Sequence, residues 1–85
     1  MKLFFSRSFE HDYQKLPRKI QNRLDIQLSR LVENPHHPSL RTKKIKGTFA
    51  VWEGRITKNY RFTFSIEAET YILRRAGTHD ILKNP

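Results

Sequence analysis

The run Tyr60-Arg61-Phe62-Thr63-Phe64-Ser65-Ile66 carries a large apolar side chain at every second residue, the period of a strand with one face buried and the other in water. Tyr60, Phe62, Phe64 and Ile66 are expected to point into a core, and Arg61, Thr63 and Ser65 away from it. Such a strand needs a partner, and the segment before it offers one. Phe49 to Thr57 (FAVWEGRIT) puts Trp52 and Ile56 on one face and Glu53 and Arg55 on the other. The connecting loop decides which residues meet. With Lys58-Asn59 alone as the loop, Arg55 would face Phe62 and polar would oppose apolar throughout. With Thr57-Lys58-Asn59, Ile56 faces Tyr60, Arg55 faces Arg61, Glu53 faces Thr63 and Trp52 faces Phe64. Register follows the buried face, so the second pairing is expected, with Asn59 providing the positive φ common at the end of such loops.

That register sets two arginines directly opposite one another, where like charges destabilise a strand pair. Either both side chains splay into water, or a phosphate lies between them, because guanidinium groups match phosphate oxygens bidentately. Charge distribution bears on the choice. The chain of 85 residues has 17 Lys and Arg against 8 Asp and Glu, a net charge of +9. Two-thirds of that excess lies between residues 41 and 61, where Arg41, Lys43, Lys44, Lys46, Arg55, Lys58 and Arg61 are opposed only by Glu53. A basic patch beside the paired arginines favours a polyanionic partner, nucleic acid or an acidic protein, over a merely solvated surface.

The length is that of a single domain, residues 1–85. With no cysteine, disulfides and thiolate zinc sites are excluded. The apolar run at the start is cut by Arg7 and Glu10, too short for a signal peptide, and no stretch nears the roughly 20 apolar residues of a membrane span. A cytoplasmic protein is expected.

Lys2 to Ser6 has strand length. Ser8 can cap a helix from Phe9 in which Phe9, Tyr13 and Leu16 share a face. Pro17 restarts the chain, and Arg18 to Glu33 carries Ile20, Leu24, Leu28, Leu31 and Val32 at helical spacing until Asn34-Pro35 ends it. A two-helix hairpin with an apolar stripe needs a cover, and the aromatic sheet face is the large one available. The expected fold is α+β: an N-terminal strand and a helix hairpin on one face of a mainly antiparallel sheet, the opposite face open. Thr70 to Gly77 reads as the last strand, but TYILRRAG alternates poorly and its facing is left open.

The acidic residues are scattered, with no cluster for a two-metal site, and no glycine-rich phosphate loop or nucleophile elbow occurs. His36 and His37 are adjacent and read as loop residues. What is left is a metal-free, cofactor-free set of arginines, lysines and one histidine. RNA brings its own nucleophile, the 2′-hydroxyl, so its cleavage needs only alignment, charge neutralisation at phosphorus and acid–base groups. His79, after Gly77-Thr78, ends the last strand where a substrate could reach it; it is either a proton donor to the leaving 5′ oxygen or a hydrogen-bonding group of a C-terminal turn.

The order Tyr13…Lys15-Leu16-Pro17, Asn34-Pro35, Lys44-Ile45-Lys46-Gly47, Trp52-Glu53-Gly54-Arg55-Ile56, Asn59-Tyr60-Arg61-Phe62 and Gly77-Thr78-His79-Asp80 resembles the RelE/ParE superfamily of toxins from toxin–antitoxin modules, over nearly the whole chain. The arginine after the central tyrosine and the late histidine are similar to the YoeB and YafQ branch. The resemblance implies a RelE-like fold and metal-independent endonuclease cleavage of mRNA in the ribosomal A site of the 70S ribosome, with an acidic antitoxin covering or distorting the basic face. It implies Arg61 at the scissile phosphate, His79 as general acid or base and Arg55 as a supporting basic residue. Lys43, Lys44 and Lys46 match only the family's general basic surface; with Lys58 they make up the expected RNA-binding lysines. Glu53, on the face of Arg55, is the candidate general base, with a surface ion pair to Arg55 as the other reading. Members with a C-terminal tyrosine stack it on a base; Asp80-Ile81-Leu82 here leaves that to Trp52 or Phe49. Two alternatives stand beside the nuclease: a ParE-like inhibitor of DNA gyrase, and a basic RNA- or ribosome-binding module without chemistry.

Overall fold

A computed structural model describes residues 1–85. The chain runs β1 (Lys2–Phe5), α1 (Arg7–Lys15), α2 (Arg18–Glu33), a 3-10 turn (Pro38–Leu40), β2 (Lys43–Lys44), β3 (Trp52–Arg55), β4 (Tyr60–Glu67), β5 (Thr70–Thr78) and a second 3-10 turn (His79–Lys83). The five strands form one sheet in the order β1-β5-β4-β3-β2, with β1 parallel to β5 and every other pair antiparallel. This is the expected α+β arrangement, widened by a two-residue strand at one edge.

Register follows burial. Trp52 pairs with Phe64, Glu53 with Thr63, Gly54 with Phe62 and Arg55 with Arg61. The turn differs from expectation: Asn59 is not among the positive-φ residues, which besides Gly47 are Arg41, Ala50 and Ala68. Instead the Tyr60 carbonyl accepts from both Ile56 and Thr57 N–H groups at 3.0 and 3.2 Å. Strand β3 is also shorter than Phe49–Thr57, because Ile45 N–H donates to the Val51 carbonyl at 2.9 Å and folds residues 45–51 into a loop.

One core lies between helices and sheet. Phe9, Leu16, Leu24, Leu28 and Leu31 meet Ile56, Phe62, Phe64, Tyr71, Leu73 and Ala76. Phe62 and Phe64 are buried as expected, whereas Tyr60 is half-buried and Ile66 is exposed at the far end of β4. The rings of Phe62 and Phe64 stand 5.8 Å apart, and Tyr71 meets Phe64 edge-on at 5.6 Å. Gly54 is required here: a Cβ on it would lie 2.3 Å from the Phe62 ring, which fills that space.

Helix α1 begins two residues earlier than expected. Ser6, not Ser8, is its cap, accepting from Phe9 N–H at 3.1 Å and donating to the Arg74 carbonyl at 3.2 Å. Ser6 is favoured because it leaves β1 beside β5 and serves both elements. Pro17 precedes α2 at the cap position rather than inside it. Tyr13 binds the helices together, its hydroxyl donating to Asp25 at 2.9 Å and its carbonyl accepting from Gln21 at 2.7 Å.

The poor alternation of β5 has a structural cause. Between Leu73, paired with Phe64, and Arg75, paired with Thr63, Arg74 is an extra residue, a bulge that resets the strand's phase. Tyr71 and Leu73 face the helices before it and Ala76 after it. Beyond the reach of β1, α1 covers this edge: Asp12 accepts from Ala76 N–H at 3.0 Å and from Arg75 Nε at 2.7 Å, satisfying an edge amide that would otherwise be open to pairing.

The face opposite the helices is not wholly open. The second 3-10 turn folds back so that Ile81 is buried over Gly77, where a Cβ would meet its Cγ2 at 2.9 Å. Main-chain oxygens of the tail are held by Thr63 and Arg74 (both to Pro85, 3.1 Å) and by Arg75 (to Asn84, 3.1 Å). Thr63, expected in water, is fully buried beneath them. No helix is long and apolar enough to cross a membrane.

Gly54→Ala is expected to destabilise the fold by about 1–3 kcal/mol, because the new methyl must displace a ring packed in the core. A urea midpoint equal to wild type would contradict the close approach of Phe62.

Candidate functional site

Strand β3 ends at Arg55, β4 starts at Tyr60 and β5 ends at Thr78, and Tyr60 pairs with Thr78. The last residues of β3 and β5 and the first of β4 therefore share one end of the sheet. Arg55, Arg61 and Gly77 form one cross-strand row on the face away from the helices. His79 follows one residue beyond the Tyr60–Thr78 pair, exposed at the head of the second 3-10 turn. Gly77 opens the row at β5, where Ile81 lies instead of a side chain. The two arginines expected to oppose one another do so, and the histidine lies at their end of the sheet.

Arg55 is half-buried. Desolvation lowers its guanidinium pKa, and the charges of Arg41 and Arg61 push in the same direction. That is the signature of cations gathered without counter-ions, a placement that favours an anion from outside. A shallow groove beside Arg55 is lined by Arg23 of α2, Ser39, Arg41, Thr57 and Lys58, with no carboxylate among its walls. Arg23 and Arg41 thus join the site. Arg23 gives no local sign of it, being one polar residue of an amphipathic helix. Arg41 lay within the basic segment, and its left-handed backbone, φ 45°, marks it further, since non-glycine residues held there recur at functional sites.

Arg61 is less free than a solvent-facing strand position implies. Its Nη1 donates to the carbonyls of Thr57, Lys58 and Tyr60 at 2.7, 2.9 and 3.0 Å. The guanidinium thereby closes the β3–β4 turn, in which Asn59 was expected to supply a positive φ. Its Nε and Nη2 take no protein acceptor, and that edge is one through which a guanidinium grips a phosphate.

Glu53 departs from expectation. It is only 6 % exposed and pairs with Lys43 at 3.2 Å, not with Arg55, while its Oε2 is buried without a hydrogen-bond partner. Short β2 brings Lys43 opposite Glu53, so this carboxylate belongs to the sheet edge rather than to water beside the arginines. Lys44 and Lys46 are exposed, as is Lys58 in the turn. Trp52, expected among the RNA-binding residues, is half-buried and stacks on Phe64 at 6.5 Å against the core, on the face opposite the arginines. The exposed aromatic on the basic segment is Phe49, at 96 %.

A buried polar network supports the cluster. Gln27 of α2, fully buried, donates from Nε2 to the Arg55 carbonyl at 2.8 Å and to the Ser39 carbonyl at 3.1 Å, and its Oε1 accepts from Arg30 at 3.0 Å. Arg30 also donates to Ser39 Oγ at 3.0 Å, and His37 Nδ1 accepts from Ser39 N–H at 3.2 Å. One amide thus ties the main chain of Arg55 to the turn that leads into Arg41.

No protein-family model matches this chain, and no curated protein matches it by sequence. Solved structures match it closely in shape. A YoeB/ParE toxin from Agrobacterium tumefaciens superposes with a TM-score of 0.79 at 20% identity, over 93% of this chain and 99% of that one. RelE from Methanococcus jannaschii, solved with its antitoxin RelB, gives 0.75 at 24% identity over 95% of both chains. YafQ from Escherichia coli gives 0.79 at 14% identity over 95% and 96%. The chain has the fold of the RelE/ParE toxins.

Two substitutions test the site's construction. Arg55→Gln removes a repulsive partner, so its urea midpoint is expected at or above wild type; a clear fall would mean that Arg55 stabilises the fold. Gln27→Leu strands two buried carbonyls and is expected to cost about 1–3 kcal/mol in the same measurement; an unchanged midpoint would refute the network.

Proposed function

We propose that this chain is the toxin of a toxin–antitoxin pair and acts as an endoribonuclease on mRNA in the ribosomal A site. The observation that carries the reading is the opposed Arg55 and Arg61 with exposed His79 at the same end of the sheet, in a fold otherwise found in RelE, YoeB and YafQ toxins.

The chemistry follows from what each group can do. The 2′-hydroxyl of the bound nucleotide attacks the adjacent phosphorus, the bond from phosphorus to the 5′ oxygen breaks, and a 2′,3′-cyclic phosphate results. The free Nε–Nη2 edge of Arg61 faces charge building on the phosphoryl oxygens, and Arg55 adds a second cation already placed for it. The proton of the 2′-hydroxyl passes to solvent water, and His79 delivers a proton to the departing 5′ oxygen. Since Glu53 is buried and bound to Lys43, it is not an exposed base; its role is to hold Lys43 at the sheet edge. The cation-lined groove of Arg23, Arg41 and Lys58 receives the phosphates flanking the cut.

The ribosome aligns the mRNA, and an acidic antitoxin neutralises the basic face; the RelE of M. jannaschii was solved in complex with its antitoxin, RelB. The expected location is the cytoplasm, where translating ribosomes are. One observation favours a second reading. Arg61 Nη1 already serves three carbonyls, as suits a group that shapes a turn, and a binding module without chemistry, for RNA, the ribosome or gyrase, would need no more.

Induced expression followed by mapping of transcript ends separates these. Growth arrest with new ends inside translated codons is expected, and His79→Gln should slow cleavage roughly 10²- to 10⁴-fold, with folding unchanged because the side chain is exposed. Arrest with intact transcripts would overturn the nuclease, and double-strand DNA breaks would point to gyrase.

A further inference from the structure

Phe49 is 96 % exposed, whereas the next most exposed phenylalanine, Phe4, is 56 % exposed. It does not sit on a slack loop. Thr48 bridges the loop's neck, donating from Oγ1 to the Ile45 carbonyl at 2.6 Å and from N–H to the same oxygen at 3.4 Å. Ile45 N–H closes the loop on the Val51 carbonyl at 2.9 Å, and Val51 is buried. Gly47 and Ala50 flank the tip in left-handed conformation, φ 78° and 58°, a region that alanine enters only under constraint. An unfavourable backbone and a fully hydrated phenyl ring thus coincide at one tip, and no other ring packs on Phe49.

The surroundings narrow the partner. Between Asn34 and Trp52 the sequence has no carboxylate, and Glu53 is taken up by Lys43. Lys46, exposed in the same loop, is therefore a cation without a counter-ion near a bare aromatic face. Flat apolar rings strung on an anionic backbone satisfy both at once, which is how single-stranded nucleic acid is held without sequence reading. Strand β3 separates this loop from Arg55 by four residues, or about 13 Å at the rise of a strand, the reach of a few nucleotides.

We propose that Phe49 stacks on a base of single-stranded RNA flanking the nucleotide held at Arg55 and Arg61, with Lys46 on the intervening phosphate. The inference deepens the endoribonuclease reading and rests on it for what happens at the arginines. Its test is binding of a short fluorescent oligoribonucleotide, by anisotropy across a salt series, in a His79→Gln background. Phe49→Ala and Phe49→Leu are expected to weaken binding about 10- to 100-fold at unchanged salt dependence, and Phe49→Tyr to retain it. Lys46→Ala should instead lower the slope of log affinity against log salt by about one. Equal affinity of Phe49→Ala and its parent, full binding by Phe49→Leu, or no binding by the parent at low salt would each overturn the proposal. Cleavage is scored separately on His79-intact protein, so failure of the nuclease and failure of the stacking contact appear in different assays.

Discussion

Burial of Phe62 and Phe64 against the helices is the constraint on which the molecule depends. Once both rings point inward, β3 cannot slip by one residue along β4, since that would send Trp52 to the opposite face. Gly54 then lies opposite Phe62 and must lack a side chain, for the ring occupies that volume. Arg55 and Arg61 are brought face to face as a by-product of packing on the other side of the sheet. Their repulsion is tolerated because the aromatic core opposes it, and the resulting electropositive site is ready for an anion before any arrives.

The C-terminal tail completes the arrangement. A bulge at Arg74 reverses the phase of β5, so that Ala76 joins the core and Gly77 turns outward beneath Ile81. Thr63, Arg74 and Arg75 draw the tail's main-chain oxygens across the sheet. Held in this way, the 3-10 turn carries His79 at the end of the sheet where the arginines lie. The outer face is thus divided: its middle is closed by the tail, and its end, with Arg55, Arg61 and His79, is accessible.

Polar burial is concentrated where it holds charge in place. Gln27 and Arg30 stitch α2 to the Pro38–Leu40 turn and to the main chain of Arg55, fixing Arg41 and Arg55 on separate elements near one another. Long cationic side chains gain most from such preorganisation, because less rotamer freedom is lost when the anion binds. Three of the eight carboxylates serve structure instead: Asp12 caps the β5 edge, Asp25 accepts from Tyr13 and Glu53 pairs with Lys43.

Much was legible in the chain itself. Alternation in Tyr60–Ile66 specified a strand, the burial of Phe62 and Phe64 and the register of its partner, and from these the Arg55–Arg61 pair. Helical spacing located α2 to the residue, and the charge count between 41 and 61 located the basic surface. These are local properties, set by period and composition. Tertiary structure alone decided the rest, because each missing piece joins residues distant along the chain. The bulge at Arg74 depends on Asp12 and on the tail. Burial of Glu53 depends on a two-residue strand that no period can announce, and Arg23 enters the site only because α2 lies beside the turn after β3. Periodicity assigns a residue to a face; what covers that face, and what reaches across it, is settled only when the whole chain has packed.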